Sequence, residues 1–142
     1  MILRVSRRDP NLEQNLFFFD IGRLYMCVIN LINFYQYLLS DKPYVNQVEV
    51  TIVIEKGKKH IPFHDCEEWA KHVNELGLPR SDKNLITIGK AKDRGALFNC
   101  DEKSNLCSII CALIGNGFGL PIELTTEIIS KSILNSGIAR EQ

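Results

Sequence analysis

Residues 17–39, FFFDIGRLYMCVINLINFYQYLL, constrain the fold more than any other stretch of the chain. The run is long enough to cross a bilayer, for which about 20 apolar residues suffice. It carries Asp20, Arg23, Asn30, Asn33 and Gln36. A carboxylate or guanidinium near the middle of a spanning helix costs roughly 2.5–3.5 kcal/mol, so the run is expected to pack on protein and not on lipid. Ile21, Leu24, Val28, Leu31, Tyr35 and Leu38 recur at three-four spacing and predict one apolar face of a helix. Arg23, Asn30, Asn33 and Tyr37 fall on the opposite side, and Asp41-Lys42-Pro43 predicts the end. Gly22 and the triple phenylalanine leave the start open, with residues 16–19 a short strand as the alternative.

A helix of this kind needs a core to lie on. The 142 residues, 45% hydrophobic and 24% charged, suit one globular domain over 1–142 that buries roughly two thirds of its unfolded surface. The MILRVSRR segment reads as a first strand, and Asp9-Pro10 as a turn or helix start. Val48, Val50, Ile52 and Ile54 alternate with polar residues and predict a strand. The pattern then suggests a hairpin: Glu55–Lys59 as its turn, with Gly57 taking a positive φ, and a return strand that carries Lys58, His60, Ile61, Phe63 and His64. Pro62 favours an edge position for that return strand, because it lacks an N–H.

Asp65 reads as the N-cap of a helix with Glu68 as its capping-box partner and Gly77 as its stop. Residues 84–92 predict another strand, with 94–100 as its candidate second hairpin arm. Two more helices follow. The first has Leu106, Ile110, Leu113 and Ile114 on one side, and the second starts at Pro121 and stops at Gly137 before a frayed tail. Gly115-Asn116-Gly117-Phe118-Gly119 reads as the loop between them. Strands and helices mix without strict alternation, so the expected fold is α+β: a mainly antiparallel twisted sheet with three to four helices packed on it as a single pair of layers.

The stretch HIPFHDCEEWAKH holds His60, His64 and His72 together with Cys66, and so invites a metal or nucleophile reading. Zinc requires three or four ligands within roughly 2.0–2.3 Å of one point. On a helix, Cys66 and His72 lie about 9 Å apart along the axis, and on a strand His60 and His64 lie about 13 Å apart. The ligands diverge, so no metal and no cofactor is expected. Cys66, Trp69 and Val73 share the side expected to face the core. A Cys66–His64 pair stays open as the alternative of a small cysteine- or metal-dependent enzyme.

The five cysteines, Cys27, Cys66, Cys100, Cys107 and Cys111, lie largely in apolar context and follow no secretory leader pattern, which predicts reduced thiols in the cytoplasm. Cys107 and Cys111 stand one helical turn apart among core residues, where a thiol acts as a small hydrophobe. The spacing Gly115, Gly117, Gly119 matches neither phosphate-binding fingerprint.

Seventeen basic and seventeen acidic residues give a net charge of zero, which argues against nonspecific nucleic-acid binding. If the strands are neighbours, Lys56, Lys58 and Lys59 could meet Lys90, Lys92 and Arg94 at one end of a sheet. What remains is a protein–protein binding module. The most concrete form is an immunity protein, or antitoxin, that covers the active site of a toxin nuclease domain. Asp65, Glu67, Glu68, Glu75, His60, His64 and Lys58 form the expected partner surface.

Overall fold

A computed structural model describes the backbone of residues 2–5 and 16–136 and the side chains from Leu16 to Ile133. The turn expected at Asp9-Pro10, the stop at Gly137 and the frayed tail lie outside the described residues. Among the described residues the fold is α+β, with four helices and, in place of the single expected sheet, two small ones.

The first sheet has the order β1 (Ile2–Val5), β2 (Leu16–Asp20), β4 (His60–Phe63). β2 runs antiparallel to β1 and parallel to β4, with Phe17 opposite His60 and Asp20 opposite Phe63. The second sheet is an antiparallel pair, β3 (Gln47–Ile54) with β5 (Ile86–Asp93), in which Ile54 faces Ile86 and Val48 faces Lys92. Two of the three ladders are antiparallel, so that expectation holds in part.

The predicted hairpin between β3 and β4 does not form. β3 pairs with β5, and the chain leaves β3 through a short 3-10 turn, Gly57–Lys59, to join β2. Lys56, not Gly57, takes the left-handed conformation, with φ 56°. Glycine is required at 57 for a different reason. A Cβ there would lie 2.5 Å from the Lys83 carbonyl oxygen, while the Gly57 N–H donates to the Asn84 carbonyl at 2.8 Å. Gly57→Ala therefore forces one backbone segment off another. An unfolding titration in urea should show a loss of about 1–3 kcal/mol, against a change within about 0.5 kcal/mol for Gly95→Ala, whose added methyl meets nothing within 4 Å. Pro62 does sit on an edge strand, as its missing N–H requires.

Helix α1 (Ile21–Leu39) follows β2 directly, and residues 16–20 are strand. Asp20 ends the strand and caps the helix, its Oδ1 accepting the Arg23 N–H at 3.1 Å. The buried face of α1 is Ile21, Tyr25, Val28 and Ile32. Leu31, Tyr35 and Leu38, expected in the core, stay exposed. At the far end Arg94 donates to the Leu39 carbonyl at 2.6 Å and Lys42 to the Leu38 carbonyl at 3.0 Å, satisfying two terminal acceptors.

Helix α2 (Glu67–Leu76) is capped by Cys66 without a side-chain bond, so Asp65 is not the N-cap. Gly77, at φ 83°, ends the helix as expected. Residues 94–97 form a 3-10 turn in place of a hairpin arm. Helix α3 (Cys100–Gly117) is capped by Asn99, whose side chain accepts the N–H groups of Asp101 and Glu102 at 3.0 and 3.1 Å. Helix α4 (Ile122–Ser136) completes the fold.

The core joins α1 to Leu106, Cys107, Ile110, Cys111 and Ile114 of α3, Ile128 and Ile129 of α4, and Val50, Ile86 and Ile88 of the second sheet. Among the described residues no helix is long and apolar enough to cross a membrane.

Candidate functional site

The fold separates the histidine stretch. His60, on β4, stacks on Phe17 with ring centroids 5.6 Å apart, and its Nδ1 lies 2.8 Å from the Lys56 carbonyl, to which it donates. His64 turns the other way, its Nδ1 lying 3.4 Å from Asp20 Oδ1. This pairing crosses from the β4–α2 connection to the start of α1, and the parallel register of β2 and β4 sets it up. Asp20 accepts from the first turn of α1 and also faces His64, whose buried Nδ1 makes no hydrogen bond.

Gly22 lies beneath them. A Cβ at Gly22 would stand 2.7 Å from Ser132 Oγ, 3.0 Å from Asp20 Oδ1 and 3.3 Å from His64 Cε1, so the glycine lets strand end, loop and α4 close together. Asp20 and Ser132 are the residues at this junction that sequence reasoning missed. An aspartate directly before an apolar helix is an N-cap signal that could have found Asp20. No local signal points to Ser132.

Cys66 is half-buried and packs with Trp69 against the core edge, as expected. The Trp69 indole N–H donates to the Pro62 carbonyl at 2.9 Å, and its ring meets Phe63 edge-on at 5.1 Å. These contacts lock the start of α2 onto β4. His72 is half-buried on the same helix. Among the described residues no group of three or more His, Cys, Asp and Glu side chains is placed to hold a metal ion.

The acidic residues of α2 are also divided. Glu68 forms an ion pair with Lys131 of α4, and Lys131 in turn lies 3.6 Å from Glu127. Asp65, Glu67 and Glu75 face solvent. With Glu68, Ala70, Lys71 and Asn74, the two glutamates Glu67 and Glu75 line a shallow concavity of about 490 Å³. Glu67, Lys71 and Glu75 are spaced one turn apart, and alternating charge at that spacing also supports the helix itself.

Lys58 is exposed on the 3-10 turn. The six basic residues do not meet at one end. Lys56, Lys58 and Lys59 follow the Ile54 end of β3, whereas Lys90 and Lys92 pair with Val50 and Val48, up to about 20 Å along the strand. Arg94 is occupied with the Leu39 carbonyl and with the Phe98 ring, 4.4 Å from its centroid.

The chain matches no protein-family model, no curated protein and no solved structure.

Proposed function

We propose that the protein is a partner-binding module of the immunity-protein kind, acting in the cytoplasm by covering a toxin domain whose surface is basic. The observation that carries this reading is the outer side of α2. Glu67 and Glu75 stay solvent-facing around a shallow concavity, with Asp65 exposed just before the helix, while Glu68 anchors the helix to α4. A helix presenting exposed carboxylates suits electrostatic steering of a cationic partner, such as the substrate-binding face of a nuclease. Of the other expected partner residues, His60 is held by the Lys56 carbonyl and His64 is turned toward Asp20, while Lys58 is exposed on the 3-10 turn.

The alternative of a cysteine- or metal-dependent enzyme around Cys66 finds less support. His64 is turned toward Asp20, and Cys66 packs at the core edge.

The test is binding to a toxin nuclease domain encoded beside this gene. Glu67→Lys with Glu75→Lys should weaken binding at least about tenfold at low salt, mainly through the association rate, and the deficit should shrink as salt is raised. Absence of binding at micromolar concentration, or indifference to both substitutions, would overturn the reading.

A further inference from the structure

We infer that α1 pairs with α1 of a second copy, antiparallel, across a two-fold axis at Leu31. The observation behind this is that α1 carries two apolar faces and its own domain covers one of them. Ile21, Tyr25, Val28 and Ile32 are buried. On the other side Leu31, Phe34 and Leu38 keep 38%, 56% and 39% of their surface in solvent, and Cys27 is exposed beside them. A second apolar face of this size is normally covered by a partner.

The spacing of the outer face is specific. Leu24, Cys27, Leu31, Phe34 and Leu38 are separated by three, four, three and four residues, which is the a/d seam of a coiled coil. Leu24 lies where the seam meets the domain's own core, half-buried against it. The seam is about 21 Å long, and two such faces packed together bury on the order of 1,000 Å², the lower edge of what a specific dimer needs.

Charge selects the occupant and its direction. From Leu24 to Ser40 there is no charged side chain. A seam facing its own copy brings like beside like, which this stretch tolerates because nothing in it repels itself. The ends differ: Arg23 stands exposed at the start of the seam, and just past its finish Asp41 is exposed while also holding Lys42 at 3.1 Å. Antiparallel pairing centred on Leu31 places Leu24 against Leu38 and Arg23 against Leu39, about 3 Å along the axis from Asp41 of the other copy and within reach of its carboxylate. Parallel pairing would oppose Arg23 to Arg23 and Asp41 to Asp41.

Light scattering during size-exclusion chromatography at about 100 μM should give twice the chain mass. Leu31→Glu with Phe34→Glu should return the monomer, raising the dissociation constant at least about 100-fold with an unchanged far-ultraviolet spectrum, since both side chains are exposed. Arg23→Asp and Asp41→Arg should each weaken the dimer several-fold, and the double exchange should restore it.

A monomer at that concentration overturns the inference, whether the seam is bare or covered by another part of the chain. So does a dimer indifferent to the seam and to both end charges. Mild oxidation reads the direction: a Cys27–Cys27 cross-link between copies would show parallel pairing and overturn the antiparallel assignment. None of these outcomes depends on whether a toxin partner is found.

Discussion

Phe118→Ala should lower the unfolding free energy by about 3–5 kcal/mol, the largest loss expected from a single side chain here. Phe118 is fully buried in the turn between α3 and α4. Its backbone N–H donates to the Gly115 carbonyl at 3.0 Å, closing the end of α3. Its ring meets Phe19 of β2 at 5.1 Å with an interplanar angle of 61°, the edge-to-face geometry that aromatic quadrupoles favour. This one residue therefore ties the three-stranded sheet to the helical layer, and Leu120, also fully buried, sits two residues on. Truncation leaves a cavity walled by several elements, which cannot all collapse into it. For a chain of this length the melting temperature should fall by roughly 8–16 °C. Phe98→Ala is the control: that ring is 40% exposed, holds only the Arg94 guanidinium, and should cost about 1 kcal/mol. Equal effects from the two substitutions would show that Phe118 does not occupy this position.

The same residue shows what periodicity can and cannot reveal. Phe118 lies in a glycine-rich stretch that reads as loop; Gly115–Gly117 instead finish α3 and the turn begins at Phe118, and nothing local reveals that its ring is a core element. Where burial follows a regular repeat, the sequence is legible. Val50, Ile86, Ile88, Leu106, Ile110 and Ile114 all face inward as their spacing predicts. α1 is legible as a helix but not in its orientation. Two apolar series with helical spacing overlap in it, Ile21-Tyr25-Val28-Ile32 and Leu24-Cys27-Leu31-Phe34-Leu38, and spacing does not say which one meets the domain's own core.

Strand pairing is the other limit. β3 and β4 are close in sequence and separated by a plausible turn, so a hairpin is the natural reading. The pairings that form, β3 with β5 and β2 with β4, depend on contacts across 30 residues and more. The candidate site inherits that limit. His64 meets Asp20 only because β4 lies parallel to β2, so the pair is invisible until the topology is known. α2's outer acids are easier: helix spacing alone places Glu67 and Glu75 on one side, while the Glu68–Lys131 pair again needs the tertiary contact with α4.

Stability should hold steady from about pH 6 to about pH 8.5 and then fall as the pH rises through 9 toward 12. The cause lies in the centre of the core. Cys107 and Cys111 are fully buried on α3. Burial disfavours the thiolate and pushes the Cys107 thiol from its ordinary 9.0 up to about 11. Cys111 goes from 9.0 to about 12, chiefly through burial and further through the neighbouring Cys107 and Cys27 sulfurs. The Tyr25 phenol, packed beside them, is also raised by burial, against the opposing effect of hydrogen bonds with Ser104 and Ser108.

The direction of the linkage follows. In the unfolded chain these thiols release their protons near pH 9, whereas in the folded chain they keep them. Above pH 9 the unfolded state therefore binds fewer protons, and each further pH unit removes up to about 1.4 kcal/mol per thiol until the folded group also titrates. Because the two thiols touch the same neighbours, their effects should couple, and a total loss of a few kcal/mol by about pH 11 is expected. Urea titrations at about pH 7.5, 9 and 10.5 measure it. Cys107→Ala with Cys111→Ala should start from lower stability yet show a shallower alkaline slope, and adding Tyr25→Phe should flatten what is left. In the native protein near neutral pH, Cys27 and Cys100 should react with a thiol reagent within minutes, while Cys107 and Cys111 should react only as fast as the fold opens. A wild-type curve that stays flat between pH 9 and 11 would mean that these two thiols are not buried as protonated core groups.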